Sequence, residues 1–302
     1  MAEYLLRAKV EYNFPLTTGD GEATSMCPIN LPVQIGEFKL DHSPNSNHYL
    51  ADLDWEPQPE EKPDWNYPIS LLYIEAKFKC EEHENPLGKA DEILEQLEAT
   101  FRLFQHGGIY IRSYQVFHIK DQKLSIVVMF RFLAERRDPS RINLQGDYIF
   151  DDKVVKNFTD YFDKYWDIIG NRHHAVWNAI YRFSTSYEER TNSDRLLELM
   201  ISLESLYSDG EYHSYKIPLR CASLLFLPGD ERKSNFNRIQ NIYHKRSRIV
   251  HGDITGTEDS FQGEADYLEN IVRKSVNKFL EMAKSGILIE KGHQLDNMLF
   301  FT

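Results

Sequence analysis

The sequence predicts an α+β protein in which a β-rich N-terminal domain, residues 1–150, is followed by an all-helical domain, residues 151–302. Apolar residues alternate at every second position in the first part, which is typical of strands. In the second part they recur every three to four positions, which is typical of helices. A chain of 302 residues can bury one large core or two modest ones. We therefore expect two separately packed domains.

Strand periodicity marks four segments of the N-terminal part. Residues 4–12 and 70–80 alternate apolar and charged side chains, while 109–118 and 124–133 are rich in Ile, Val, Tyr and Phe. Residues 89–104 instead carry apolar side chains at helical spacing and precede a glycine pair. The Pro- and Asp-rich stretch from Asp41 to Pro68 predicts a long, flexible loop.

Helical signals follow one another after Asp147. Asn192 or Ser193 is expected to cap the third helix, Pro218 to occupy the opening turn of the fourth, and Gly252 to end the fifth. The apolar stripes predict six helices, which cover approximately residues 154–169, 176–187, 193–207, 218–226, 230–251 and 265–280.

Cysteine usage and the absence of targeting signals indicate a reduced, cytoplasmic protein. The three cysteines are far apart and have no zinc-site spacing. The N-terminal residues lack the pattern of a signal peptide, and no uncharged apolar stretch is long enough for a membrane span. The pair His173-His174 has no suitably spaced carboxylate, so we expect neither a metal nor another cofactor.

The densest basic cluster of the chain runs from His244 to Arg248. The formal net charge of −12 argues against long-range attraction of the whole protein to nucleic acid, but it leaves room for a local basic groove. A cluster of this size is either a solvated helix face or a site for an anionic ligand.

Arg246 falls in the middle of the apolar arc of the fifth predicted helix. An unpaired charge in a core is strongly destabilising, so the arginine requires a carboxylate partner. Glu204, on the apolar arc of the third helix, is the best candidate, and Arg220 competes for it. The same pattern is produced by a purely structural ion pair inside a helical bundle.

His251 shares the opposite face of that helix with His244 and Arg248, in the last turn before Gly252. The negative end of a helix dipole favours an imidazolium by ~0.3–1 kcal/mol at an exposed site. This position suits a proton donor near neutral pH. A lone histidine at a helix end is also a common structural feature, so both interpretations stay open.

The string from Tyr243 to Gly252 resembles the signature of the Apea-like branch of the HEPN family, in which an arginine precedes a histidine by a few residues. Four residues separate Arg246 from His251. The order and spacing of further segments also resemble that family, so the similarity covers more than a third of the chain. These segments are Asn178–Phe183, Asp194–Leu206 and Leu219–Ala222.

The resemblance implies an all-α HEPN-type bundle that acts as a metal-independent endoribonuclease in phage defence, toxin or stress systems, commonly as a homodimer. It assigns His251 as general acid or base and Arg246 as the group that stabilises charge on the phosphorane. Glu204 and Arg220 would orient the arginine. The substrate would be RNA, tRNA among the candidates, contacted through His244, Lys245, Ser247 and Arg248.

Helix geometry sets a condition on this assignment. Residues five apart on an ideal helix point roughly 140° away from one another, so Arg246 and His251 of one subunit do not converge. Two fifth helices that meet at a two-fold axis would form one composite cleft. Local unwinding of the helix before Gly252 is the alternative.

Two other functions compete with the nuclease. A non-catalytic HEPN module that binds RNA or a partner protein is favoured by the acidic net charge and by a core-facing Arg246. A transferase or hydrolase in the N-terminal domain would need a phosphate loop, a nucleophile elbow or paired metal ligands, which the sequence lacks. The run Leu94–Phe104 resembles a segment often found ahead of Apea-like domains, so the N-terminal domain is expected to bind a trigger or partner.

Overall fold

The computed structural model describes residues 1–13, 33–41, 69–120, 123–132, 148–149, 151–172, 174, 176–253, 261–287 and 292–300. The chain forms two compact units, Met1–Lys164 and Tyr165–Thr302. An antiparallel sheet comes first and helices follow, as predicted. Residues 42–68 of the expected loop lie outside the described residues. No helix in the described ranges is long and apolar enough to cross a membrane.

The N-terminal unit is built on one antiparallel sheet with the strand order β2-β3-β4-β1-β5-β6. The four predicted strands are present. Two short strands were not predicted, because three or four residues give too little alternation to be recognised. The strands are β1 (Ala2–Asn13), β2 (Val33–Ile35), β3 (Phe38–Asp41), β4 (Ile69–Cys80), β5 (Ile109–Lys120) and β6 (Lys123–Phe132).

Helix α1 (Pro86–Phe104) packs on β5. Asn85 caps it, since the Asn85 side chain accepts a hydrogen bond from the Leu87 amide at 3.0 Å, and proline occupies the first helical position. Glu98 is buried, pairs with Arg102 at 3.0 Å and accepts a hydrogen bond from the Ile111 amide at 3.0 Å. This carboxylate therefore ties the helix to the sheet.

The C-terminal unit is helical, and α4 is its central helix. Helix α4 packs against α3, α5, α6 and α7, and Leu196, Leu199, Met200 and Leu203 on its inner face are completely buried. One helix, α8, was not predicted. Helix α2 (Asp152–Gly170) follows the sheet and lies mostly in the N-terminal unit, since that unit ends at Lys164. The helices of the C-terminal unit are α3 (Trp177–Ser186), α4 (Asn192–Tyr207), α5 (His213–Leu225), α6 (Asp230–Val250), α7 (Gln262–Lys284) and α8 (Gly292–Phe300).

Two details of the helix ends differ from the prediction. The N-cap of α4 is Thr191, whose hydroxyl accepts a hydrogen bond from the Asp194 amide, rather than Asn192 or Ser193. Pro218 lies inside α5 instead of in its opening turn. A proline there leaves the carbonyl of Ser214 without its helical donor. The Gln240 side chain of α6 donates to that carbonyl at 3.3 Å, which explains why the helix tolerates the proline.

A buried ionic cluster joins α3, α4 and α7. The Glu269 carboxylate pairs with Arg195 and Arg273 and accepts a hydrogen bond from the Tyr187 hydroxyl at 2.6 Å. Arg195 also reaches Asp266 at 2.7 Å. Glu269 is completely buried and is the carboxylate that both arginines share.

We predict that Glu269→Gln lowers the free energy of unfolding by about 3–5 kcal/mol, because it leaves two arginines in the core without their shared counter-charge. Urea unfolding followed by circular dichroism measures the effect. The matched control is Glu281→Gln on the same helix, where the carboxylate pairs with Lys278 at the surface and should contribute less than ~1 kcal/mol. Equal effects of the two substitutions would contradict the structural role of the cluster.

Candidate functional site

Helix α6 packs on α4 and α5 and buries only a narrow face. Ile239 and Ile242 are its buried residues, whereas 56% of Val250 is exposed. The predicted apolar arc is therefore wider than the face that is buried. The basic cluster lies on a helix whose surface is mostly accessible.

Arg246 forms an ion pair with Glu204. This is one of the two pairings that the sequence predicted for Glu204, the other being with Arg220. The distance between Arg246 Nη2 and Glu204 Oε2 is 3.5 Å, and the side chains are 25% and 21% exposed. The pair is half-buried rather than enclosed in the core, which corrects the expectation. Arg246 Nε is buried and has no hydrogen-bond partner among the described residues. The guanidinium is thus paired with one carboxylate and keeps part of its surface exposed.

Tyr243 extends this cluster. Burial raises the pKa of the Tyr243 phenol above its usual value, and the negative charge of Glu204 raises it further, while Arg246 acts in the opposite direction. The phenol therefore stays protonated. Tyr243, Glu204 and Arg246 form a polar group at the junction of α4 and α6.

Arg220 does not pair with Glu204. It donates hydrogen bonds to Asp296 and Asp209 at 2.6 Å and to the Tyr207 carbonyl at 2.7 Å. These contacts hold α8 against α5 and the end of α4, and a Cβ atom on Gly292 would lie 2.3 Å from the guanidinium. Arg220 was expected to orient Arg246. No contact between the two arginines is seen in the described part of the chain, because the N–H donors of Arg220 bind the two aspartates and the Tyr207 carbonyl.

His251 is exposed and occupies the C-cap of α6. Its amide donates to the Ser247 carbonyl at 3.0 Å, and the Asp253 amide donates to the Arg248 carbonyl at 2.9 Å. The Gly252 amide donates to the Ile249 carbonyl at 3.0 Å, and Gly252 has a φ of 76°. Together with the bond from Asp253, this forms a Schellman motif that ends a regular helix. Local unwinding before Gly252 is therefore not found. Arg246 and His251 of one subunit point roughly 140° apart.

The remaining basic residues border a surface pocket of about 580 Å³ between α6 and the start of α7. Three residues predicted to contact RNA contribute to it, whereas Ser247, Arg246 and His251 do not. The lining residues are Arg238, Asn241, Ile242, His244, Lys245, Arg248, Gly263 and Glu264.

Sequence reasoning did not identify Arg238, Asn241 or Glu264 as site residues. Arg238 and Asn241 could have been found, since they continue the stripe of Lys245 and Arg248 at intervals of three and four residues. Glu264 lies on another helix, and only the tertiary fold brings it to the stripe. Among the described residues no group of three acidic, histidine or cysteine side chains could hold a metal ion.

The Arg220 contacts predict a loss of stability in acid. The hydrogen bond from Arg220 lowers the pKa of Asp209 from 3.8 to about 2. The carboxylate therefore stabilises the fold fully above its unfolded pKa, and this contribution, up to about 2 kcal/mol, is lost as the pH falls from about 4 to about 2. Urea midpoints of wild type and Asp209→Asn at both pH values test this, with the exposed Glu211→Gln as control. The same acid-induced loss in Asp209→Asn and wild type would contradict it.

Comparisons with protein-family models, with curated proteins and with solved structures give no match to this chain.

Proposed function

We propose that the protein is a metal-independent endoribonuclease whose helical unit is an all-α bundle of the HEPN type. One observation carries the proposal: Arg246 is held by a single carboxylate at 3.5 Å, and its side chain remains 25% exposed. A guanidinium in this state can donate hydrogen bonds to the oxygens of a phosphate. An exposed histidine and a cationic helix face belong to the same helix.

The proposed reaction is attack of a ribose 2′-hydroxyl on the adjacent phosphorus. The 2′-oxygen forms a bond to phosphorus and loses its proton, the bond from phosphorus to the 5′-oxygen breaks, and the leaving oxygen takes up a proton. His251 serves as the general base or acid in these transfers. Arg246 stabilises the negative charge that develops on the phosphorane oxygens, and Glu204 holds the arginine in place. Water is not needed for this step.

The proposed active site is composite. Arg246 and His251 of one subunit diverge because α6 is regular up to Val250. In a homodimer with α6 helices meeting at the two-fold axis, the arginine of one subunit and the histidine of the other line one cleft. The exposed apolar end of α6, at Val250, would be covered in such an interface.

The substrate would be RNA, with tRNA as one candidate, in a cytoplasmic phage-defence, toxin or stress system. Lys245 and Arg248 supply the positive charge that a phosphodiester backbone requires, and His244 lies in the same pocket, although the net charge of the chain is −12. The N-terminal unit, with its antiparallel sheet and α1, would bind the trigger or partner that controls activity.

We expect His251→Ala to reduce RNA cleavage by ~10²–10⁴-fold without changing the urea midpoint, because it removes a proton-transfer group from an exposed position. Arg246→Ala should also abolish cleavage, but with a loss of up to about 1 kcal/mol in stability, since its ion pair is half-buried. Lys278→Ala, on a distant exposed helix face, is the control. Wild-type cleavage by His251→Ala would exclude this histidine from the chemistry.

The composite site predicts that the two inactive variants complement one another. Heterodimers of Arg246→Ala and His251→Ala, purified through two different tags, should cleave RNA at least tenfold faster than either homodimer, because one cleft then contains an intact arginine and an intact histidine. A doubly tagged His251→Ala homodimer controls for the tags. A heterodimer as inactive as its parents, or a protein that light scattering finds strictly monomeric, would contradict the composite cleft.

A non-catalytic module that binds RNA or a partner protein is the second candidate. The observation in its favour is the Glu204–Arg246 pair, because an arginine that already has a carboxylate partner can be purely structural. The two functions separate in one comparison. A binding module would retain RNA affinity and show no cleavage in wild type, whereas the nuclease loses cleavage only on substitution of Arg246 or His251.

A further inference from the structure

One carboxylate, that of Glu264, lines the otherwise basic pocket between α6 and α7. Glu264, at the start of α7, pairs with Lys245 of α6, and the two side chains are 29% and 41% exposed. The Lys245 ammonium lowers the pKa of the Glu264 carboxyl, which therefore stays ionised. The other polar groups of the lining are cationic or neutral. The carboxylate thus compensates part of a positively charged pocket.

The Arg238 side chain is fixed in position in the same pocket by two contacts. Its guanidinium lies over the ring of Tyr267, 3.7 Å from the centroid, and Nη2 donates to the Gly263 carbonyl at 3.4 Å. The Tyr267 hydroxyl in turn donates to Asn235 at 2.6 Å, which fixes the ring. Stacking on an aromatic ring restricts an arginine without using all its donors. Arg238 therefore loses little conformational freedom when an anion binds.

We propose that this pocket is a phosphate-binding subsite. Glu264 forms an ion pair with Lys245 until a phosphate group binds Lys245 and displaces the carboxylate. A phosphate would receive hydrogen bonds from Arg238, Lys245 and Arg248, each of which lines the pocket. The volume of about 580 Å³ is within the range of pockets that hold small ligands and accommodates a nucleotide unit.

The subsite is distinct from the proposed cleavage centre, since neither Arg246 nor His251 lines it. The phosphate could belong to an RNA strand that continues away from the cleavage centre or to a free nucleotide. The first source rests on the proposed nuclease function, and the second does not. In both cases Glu264 lowers the affinity, because its charge repels the phosphate and its contact with Lys245 must first be broken.

The experiment compares the full-length wild type with Glu264→Gln and Lys245→Ala. The probes are a 2′-O-methyl RNA oligonucleotide, which cannot be cleaved by its own 2′-hydroxyl, and adenosine monophosphate. We expect Glu264→Gln to tighten binding about three- to tenfold and Lys245→Ala to weaken it by a similar factor, as for one charge-assisted hydrogen bond. For RNA, the slope of log affinity against log salt should steepen by about 0.7 in Glu264→Gln.

The Lys278–Glu281 pair of α7 provides matched controls, because it is a lysine–glutamate pair at 2.9 Å outside the pocket. Lys278→Ala and Glu281→Gln change the net charge by the same amounts and should leave both affinities within about twofold. In the Lys245→Ala background, Glu264→Gln should also increase the affinity for the probes by a smaller factor than it does in wild type, since no lysine remains to be released from the ion pair.

A response to the RNA probe alone identifies a strand as the source of the phosphate, and a response to adenosine monophosphate alone identifies a free nucleotide. The proposal is overturned if Glu264→Gln and Lys245→Ala bind both probes as wild type does, or if the control pair has equal effects. Failure of the nuclease proposal is distinct, since it would leave RNA uncleaved whatever these pocket variants bind.

Discussion

The geometry of a regular α-helix is the constraint on which this account depends. Helix α6 keeps its hydrogen bonding up to the Schellman motif at Gly252, so the directions of Arg246 and His251 are set roughly 140° apart. A single subunit cannot place both side chains on one phosphate without breaking the helix. The chemistry that the two residues suggest therefore requires a second copy of the chain. In the proposed nuclease, the oligomeric state would therefore be part of the active site.

Arg220 and Arg246 of the helical unit differ in how many of their donors the fold uses. Arg220 is fully buried and donates to two aspartates and a carbonyl, which makes it a clamp for α8. The hydrogen bond to Asp296 raises the pKa of Arg220, so the clamp is permanently charged. Arg246 instead contacts Glu204 at 3.5 Å and retains exposed surface. Arg246 is therefore the arginine of the two whose exposed surface a ligand can contact.

The sequence predicted the elements that have long periodic patterns. The four long strands and the helices α1 to α7 were visible because each carries many apolar residues at one period. β2 and β3 were too short to show a period, and Pro218 was placed at a helix start because local rules exclude it from an interior. The Gln240 side chain that compensates it comes from another helix.

The candidate site was predictable along one helix but not between helices. The arc of α6 identified Arg246, and the apolar arc of α4 identified Glu204 as its partner. The same reasoning misjudged burial, since amphipathic spacing does not reveal that α6 packs at the edge of the bundle. Pairings such as Arg220 with Asp296 or Lys245 with Glu264 join residues distant in sequence. They depend on which helices pack together, and the periodicity of one helix does not reveal that.

The most direct measurement is the chemistry of the RNA ends. Purified protein is incubated with total RNA and with tRNA in the presence of EDTA, and the termini of the products are analysed. Attack by a ribose 2′-hydroxyl predicts cleavage without metal and fragments with 2′,3′-cyclic phosphate and 5′-hydroxyl ends. Intact RNA, cleavage that EDTA abolishes, or fragments with 5′-phosphate ends would contradict the account.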